Sequence, residues 1–140
     1  MGNWQQRDED GWSAEVYEPD TSRPGLALLF LHGHSHKTLS HSDAWTRALE
    51  HAGLRAVCPL SSSGWWVEGD ERIGLDTPLE FLQQRVAPSI RRWWDVPEPG
   101  IALAGVSLGG QGALKLAYRH AREFPVVAAI APAIDFHRLF

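Results

Sequence analysis

Cysteine is almost absent from this 140-residue sequence: Cys58 stands alone, so no disulfide can form within the chain, and a disulfide-stapled secreted scaffold is excluded. Set in Arg55-Ala56-Val57-Cys58-Pro59-Leu60, that thiol reads as a small buried apolar side chain rather than a nucleophile. Charge of one sign is lacking too. Thirteen Lys and Arg against seventeen Asp and Glu leave a net −4 spread along the chain, with neither a basic patch suited to nucleic acid nor an acidic tail. No apolar run is long enough to span a bilayer, and residues 1–10 have no apolar stretch of the kind a signal peptide needs. These absences point to a cytoplasmic protein that engages small molecules rather than nucleic acid or membrane. Internal repeats and low-complexity segments are also missing.

What is present is an alternation of short apolar runs with helix-length amphipathic segments. Residues 26–31, 54–60, 101–106 and 126–131 are apolar at nearly every position, as expected of parallel strands covered on both faces. Between them, residues 43–52 read as a helix closed by Gly53, and Thr77-Pro78-Leu79-Glu80 opens another with a capping box. That second helix runs to Trp94 and contains Pro88, which should kink or split it. A further helix follows Ser107 and ends near Phe124-Pro125. The alternating piece Trp12–Tyr17 suits a peripheral strand covering a sheet edge, while the rest of the first 24 residues is polar and turn-rich. Strand, helix, strand order argues for an α/β fold, a three-layer, mostly parallel, doubly wound sheet in one domain over residues 1–140. Residues 61–76 are too long and irregular for a simple connector, and long loops in compact domains tend to be functional.

The most informative stretch is Ile101-Ala102-Leu103-Ala104-Gly105-Val106-Ser107-Leu108-Gly109-Gly110-Gln111-Gly112-Ala113. A strand breaks at a serine and restarts as a helix, with Gly105 and Gly109 where a tight elbow brings backbones too close for a β-carbon. Ser107 is left at the tip, beside the Leu108 N–H and the positive end of a helix. This Gly-x-Ser-x-Gly-Gly-x-Gly-Ala pattern resembles the nucleophile elbow of the α/β-hydrolase superfamily, and is most similar to the esterase D and S-formylglutathione hydrolase-like branch. Leu108 stands where that branch often has methionine. The resemblance implies an α/β-hydrolase fold and a serine esterase or thioesterase that works through an acyl-enzyme on Ser107, without metal or organic cofactor, on a small-molecule ester.

Attack by a serine needs a base, a carboxylate to orient it, and two donors for the oxyanion. The resemblance implies that the donors are the backbone N–H groups of Leu108 and His34, the second within the His32-Gly33-His34 loop after the strand at 26–31. It also places the acid and the histidine after the last strand, beyond this sequence. Asp135 and His137 do follow Ser107, yet read more simply as a turn-stabilising carboxylate and a surface histidine. Trp65 and Trp66, in the long loop after a parallel strand, could wall a substrate pocket or anchor the loop equally well. Trp93-Trp94 read as packing, and His41, His51 and His120 as loop and exposed helical positions without a role.

Two alternatives stand beside the esterase. His32, His34 and His36 form H-x-H-x-H after a strand, a pattern that can ligate a metal in a metal-dependent hydrolase, although no second ligand cluster accompanies it. A non-catalytic hydrolase-like binding module without triad acid and base is the other. Because the strand at 126–131 is apolar on both faces and is built to be central, the sequence reads as a domain truncated after it. That would make it the N-terminal portion of a longer enzyme, a truncated gene model, or a chain that pairs with its missing C-terminal portion as a separate partner.

Overall fold

In the computed structural model, which describes residues 1–60 and 77–133, the apolar runs become strands. β1 (Asn3–Glu9) and β2 (Trp12–Glu18) form a hairpin; β3 (Ala27–Leu31), β4 (Arg55–Pro59), β5 (Ile101–Val106) and β6 (Val127–Ile130) follow. Among the described residues the sheet order is β1-β2-β4-β3-β5-β6. β4, β3, β5 and β6 run parallel, and β2 joins β4 antiparallel, pairing Glu15 with Cys58. The helices are α1 (Asp43–Ala52), α2 (Pro78–Phe81), α3 (Ala87–Trp94) and α4 (Leu108–Arg119).

The strand period of two explains the layering. On β3, Ala27, Leu29 and Leu31 face a core shared with Leu79, Leu82, Val86 and Ile90 of the α2–α3 segment and with Ala113 and Leu116 of α4. Leu28 and Phe30 face the other way, toward Leu39, Leu49 of α1, Tyr17 and the fully buried Cys58. Helices therefore lie on both faces of a mostly parallel sheet, the three-layer arrangement that the alternation of elements predicts. Cys58 behaves as an apolar side chain, and burial pushes its thiol up to about 12.

Two local expectations need correction. Trp12–Glu18 does not form the edge, because the polar residues Asn3–Glu9 make a further strand outside it. The Asp10-Gly11 pair, with Gly11 at φ 81°, supplies the hairpin turn, and that dipeptide is the signal in the sequence for it. Second, α4 stops at Arg119; Phe124 N–H and Glu123 N–H both bond the His120 carbonyl in a separate turn, and His120 is half-buried. β6 is the outer strand among the described residues, with Val126 and Ile130 exposed.

The helical segment is divided ahead of Pro88, one of the two outcomes expected of it. Residues Leu82–Val86 widen into a π-turn in which the Ala87 N–H bonds the Leu82 carbonyl. The α-helical segment that follows, Ala87–Trp94, has Pro88 as its second residue, directly after the widened turn.

The edge hairpin is tied to α1 by one carboxylate. Glu50 accepts hydrogen bonds from the Tyr17 hydroxyl at 2.5 Å, the Gly2 N–H at 2.9 Å and the Asp20 N–H at 3.2 Å. Trp4 Nε1–H adds a bond to Thr46 Oγ1 at 3.0 Å. Burial, and then the bond to Glu50, push the Tyr17 phenol up to about 12. The same hydroxyl, helped by the Gly2 N–H, holds the Glu50 carboxyl below its ordinary value. The lowered carboxyl contributes stability above the unfolded-state value of 4.5 that is lost as pH falls through the folded one. The raised phenol contributes stability below pH 10 that is lost on rising toward about 12. Tyr17→Phe, which keeps the ring, is therefore expected to lower the urea midpoint at neutral pH and to weaken its dependence on pH at both extremes, as read by equilibrium unfolding from pH 3 to 11.

Candidate active site

The end of β5 and the start of α4 meet at Ser107, which has φ 54° and ψ −116°, a conformation that non-glycine residues adopt at a cost of about 1–3 kcal/mol. Its neighbours hold it there. The Ser107 N–H donates to the Ile130 carbonyl at 3.0 Å, and its carbonyl accepts from Gln111 N–H at 3.1 Å and Ala133 N–H at 3.0 Å. β6 and the turn after it thus clamp the elbow from one side, a support that the motif itself does not reveal.

Two glycines make the turn sterically feasible. A β-carbon on Gly105 would lie 2.2 Å from the Gly109 carbonyl oxygen, and one on Gly109 would lie 1.9 Å from the carbonyl oxygen of Leu31. The first turn of α4 is therefore pressed against both β5 and the end of β3. Leu108 opens α4, in the turn whose N–H groups find no partner within a helix, so its N–H lies where the helix favours negative charge.

The loop after β3 approaches from the opposite side. A β-carbon on Gly33 would meet the Val106 carbonyl oxygen at 3.0 Å and Ser107 Cβ at 3.2 Å, so the backbone of residue 33 rests on the serine. The Gly33 carbonyl accepts two hydrogen bonds, from His32 Nδ1–H at 2.9 Å and from the His36 N–H at 3.1 Å. Since the peptide is planar and trans, fixing that carbonyl fixes the His34 N–H in the opposite direction. His34 itself is exposed, and the turn needs only its backbone.

His32 is 1 % exposed, and its ring lies 5.0 Å from that of His36. Burial lowers its pKa from the ordinary 6.5; the Gly33 carbonyl opposes this by favouring the proton, while His36 adds to the lowering. His32, His34 and His36 do not converge as ligands, and among the described residues no three His, Cys, Asp or Glu side chains could hold a metal ion. Trp65, Trp66, Asp135 and His137 lie outside the described residues. Trp93 and Trp94 pack as expected: Trp93 stacks on Trp12 at 5.8 Å and donates to Glu9 at 2.9 Å.

A strained serine between a parallel strand and a helix N-terminus, in a sheet of this order, defines an α/β-hydrolase fold. The sequence matches the Esterase family over residues 13–138, and the chain belongs to that family. Similar solved structures include the S-formylglutathione hydrolase of Agrobacterium tumefaciens, at 18% identity and TM-score 0.73, covering 94% of this chain and 58% of that one. The fluorophosphonate-binding serine hydrolase FphF of Staphylococcus aureus gives 16% identity and TM-score 0.75, over 99% and 60%. Acetyl xylan esterase from Aspergillus awamori gives 15% identity and TM-score 0.72, over 98% and 56%. The chain thus spans about three fifths of the length of these structures. A search of curated proteins found no match. No helix among the described residues is long and apolar enough to cross a membrane.

Two measurements test this geometry. Gly109→Ala is expected to abolish soluble folded protein, because backbone fills the space around it. Gly33→Ala, whose neighbours need yield only tenths of an ångström, is expected to fold with a lower midpoint, as read by circular dichroism and urea titration. For His32, the unfolded chain takes up a proton near pH 6.5 that the buried ring resists. Stability should therefore fall as pH drops below 6.5, more steeply in the parent than in His32→Gln, which can still donate to Gly33.

Proposed function

We propose that Ser107 is the nucleophile of a serine hydrolase acting on carboxylic esters or thioesters. The observation that carries this reading is the clamped positive-φ elbow, which holds a non-glycine residue at the tip of the turn in a conformation that costs free energy. In the proposed reaction Ser107 Oγ attacks the acyl carbonyl carbon as its proton passes to a base, giving a tetrahedral oxyanion. The N–H groups of Leu108 and His34 are the proposed donors to that oxygen. Collapse expels the alcohol or thiol with the proton returned, and water then releases the acid by the same steps.

Support for the second donor is the contact of Gly33 with Ser107, together with the doubly held Gly33 carbonyl. Trp65 and Trp66, following β4 at the carboxyl edge of the sheet, are proposed to line the acyl or alcohol side, since ligands of such sheets bind at that edge. The base and its carboxylate are proposed to lie outside the described residues. Asp135 and His137 are in the sequence, and the solved esterases have further chain beyond the part matched here.

The test is hydrolysis of p-nitrophenyl acetate and labelling by a fluorophosphonate, measured on the full-length natural polypeptide that carries these residues. Ser107→Ala is expected to abolish labelling and to lower turnover by about a millionfold if a complete triad is present. Activity indifferent to Ser107→Ala, or a folded protein that neither turns over nor labels, would refute the serine mechanism; the second outcome would leave a non-catalytic member of the fold.

A further inference from the structure

The second strand carries a carboxylate that the reaction above does not use. Glu15 lies on the same face of β2 as the buried Tyr17, facing the layer that contains α1. Its Oε2 accepts hydrogen bonds from Thr38 Oγ1, at 2.8 Å, and from the Ser40 hydroxyl. Thr38 is buried; its Oγ1 also accepts from the Ser40 N–H at 3.3 Å, and its own N–H donates to His41 Nδ1 at 3.3 Å. The short helical turn Leu39–His41 is capped by these bonds, and Leu39 is buried in the cluster with Tyr17 and Cys58. An apolar side chain at position 15 would suffice for packing. A carboxylate instead dictates where two hydroxyls, and so the backbone that bears them, must lie.

That backbone is the far end of the loop that touches Ser107. The loop is fixed at its near end by Gly33 and at its far end by Thr38, and only the exposed residues 34–37 run between. One donor to the Gly33 carbonyl, the His36 N–H, belongs to this short span, and His36 has φ 61°. With four residues between the anchors, the place of Thr38 limits where the His36 N–H can point.

We propose that Glu15 is a positioning residue for the oxyanion peptide: by holding Thr38 and Ser40 it keeps the His36 N–H on the Gly33 carbonyl, and so keeps the His34 N–H directed at the oxygen that forms beside Ser107. This rests on the reading of Ser107 as nucleophile. Glu15 touches no reacting atom. It acts through the turn, and either an ionised carboxylate or a neutral amide oxygen can accept from the two hydroxyls, so Gln is expected to replace it well and Leu poorly.

The experiment compares the parent, Glu15→Gln and Glu15→Leu in the full-length natural polypeptide, with Ser107→Ala as control. Amide hydrogen exchange is read at His36, and steady-state kinetics on p-nitrophenyl acetate are corrected for the folded fraction from urea titration. Glu15→Leu is expected to speed exchange at His36 while β3 and α1 stay protected. It should lower kcat about ten- to hundredfold, with KM changed less than about twofold, since a displaced donor weakens the transition state more than the ground state. Glu15→Gln should restore both. Unchanged His36 exchange in Glu15→Leu overturns the proposal, as does a fall in activity that only follows the loss of folded protein. A parent without Ser107-dependent turnover refutes the nucleophile reading itself and, with it, the catalytic role of Glu15; the exchange comparison then still decides whether the carboxylate holds the turn.

Discussion

The close approach of three backbones at Ser107 is the constraint on which the rest of the structure depends. The end of β5, the first turn of α4 and the loop after β3 come so near one another that side chains are excluded at Gly105 and Gly109 and would be crowded at Gly33. Bare backbone at a surface would be free to take other conformations. Here it is held by packing from both faces of the sheet: Leu29 and Leu31 hold β3 against α4 through Ala113 and Leu116, and Phe30 and Leu39 hold the other face. The elbow is strained, and a dense core on either side is the means by which a strained residue persists.

A second level of organisation lies in how polar groups at the sheet margin are assigned to single carboxylates. Glu50 gathers donors from the N-terminus, from Tyr17 and from Asp20, and so fastens the edge hairpin to α1. Glu15, on the inner strand of that same hairpin, fastens the turn at Leu39–His41. The hairpin is therefore more than a cover for β4. Through β2 it links the edge of the sheet to the loop beside Ser107, although β2 and that loop are separate in sequence.

Much of this was legible in the sequence, for physical reasons that differ between elements. β3, β4 and β5 are apolar on both faces, and few environments other than a doubly covered sheet would tolerate such runs. The serine and its glycines were legible because a turn this tight leaves a steric signature in residue type. β1 was not: at a sheet edge Asn3–Glu9 needs no apolar face, so its composition is that of a loop, and only Asp10-Gly11 marks the turn. The π-turn at Leu82–Val86 was likewise hidden, since Pro88 announces a disturbance without saying where the helix will absorb it. The clamp on Ser107 from Ile130 and Ala133, and the double hold on the Gly33 carbonyl, are backbone contacts between distant segments. Side-chain patterns carry no record of such contacts.

The aromatic packing beneath the hairpin has a consequence for how this molecule can be observed. Trp12 and Trp93 are stacked with ring centroids 5.8 Å apart, Trp94 stands edge-on to Trp93 at 5.9 Å, and Arg7 covers Trp93 at 3.9 Å. Indoles this close couple their electronic transitions, and the pair joins β2 to α3 across the sheet margin. Near-ultraviolet circular dichroism is sensitive to fixed aromatic packing and is lost when tertiary contacts loosen while secondary structure survives. The chain thus carries an intrinsic optical reporter of whether its hairpin is docked, at the edge remote from β6 and separate from any readout at Ser107.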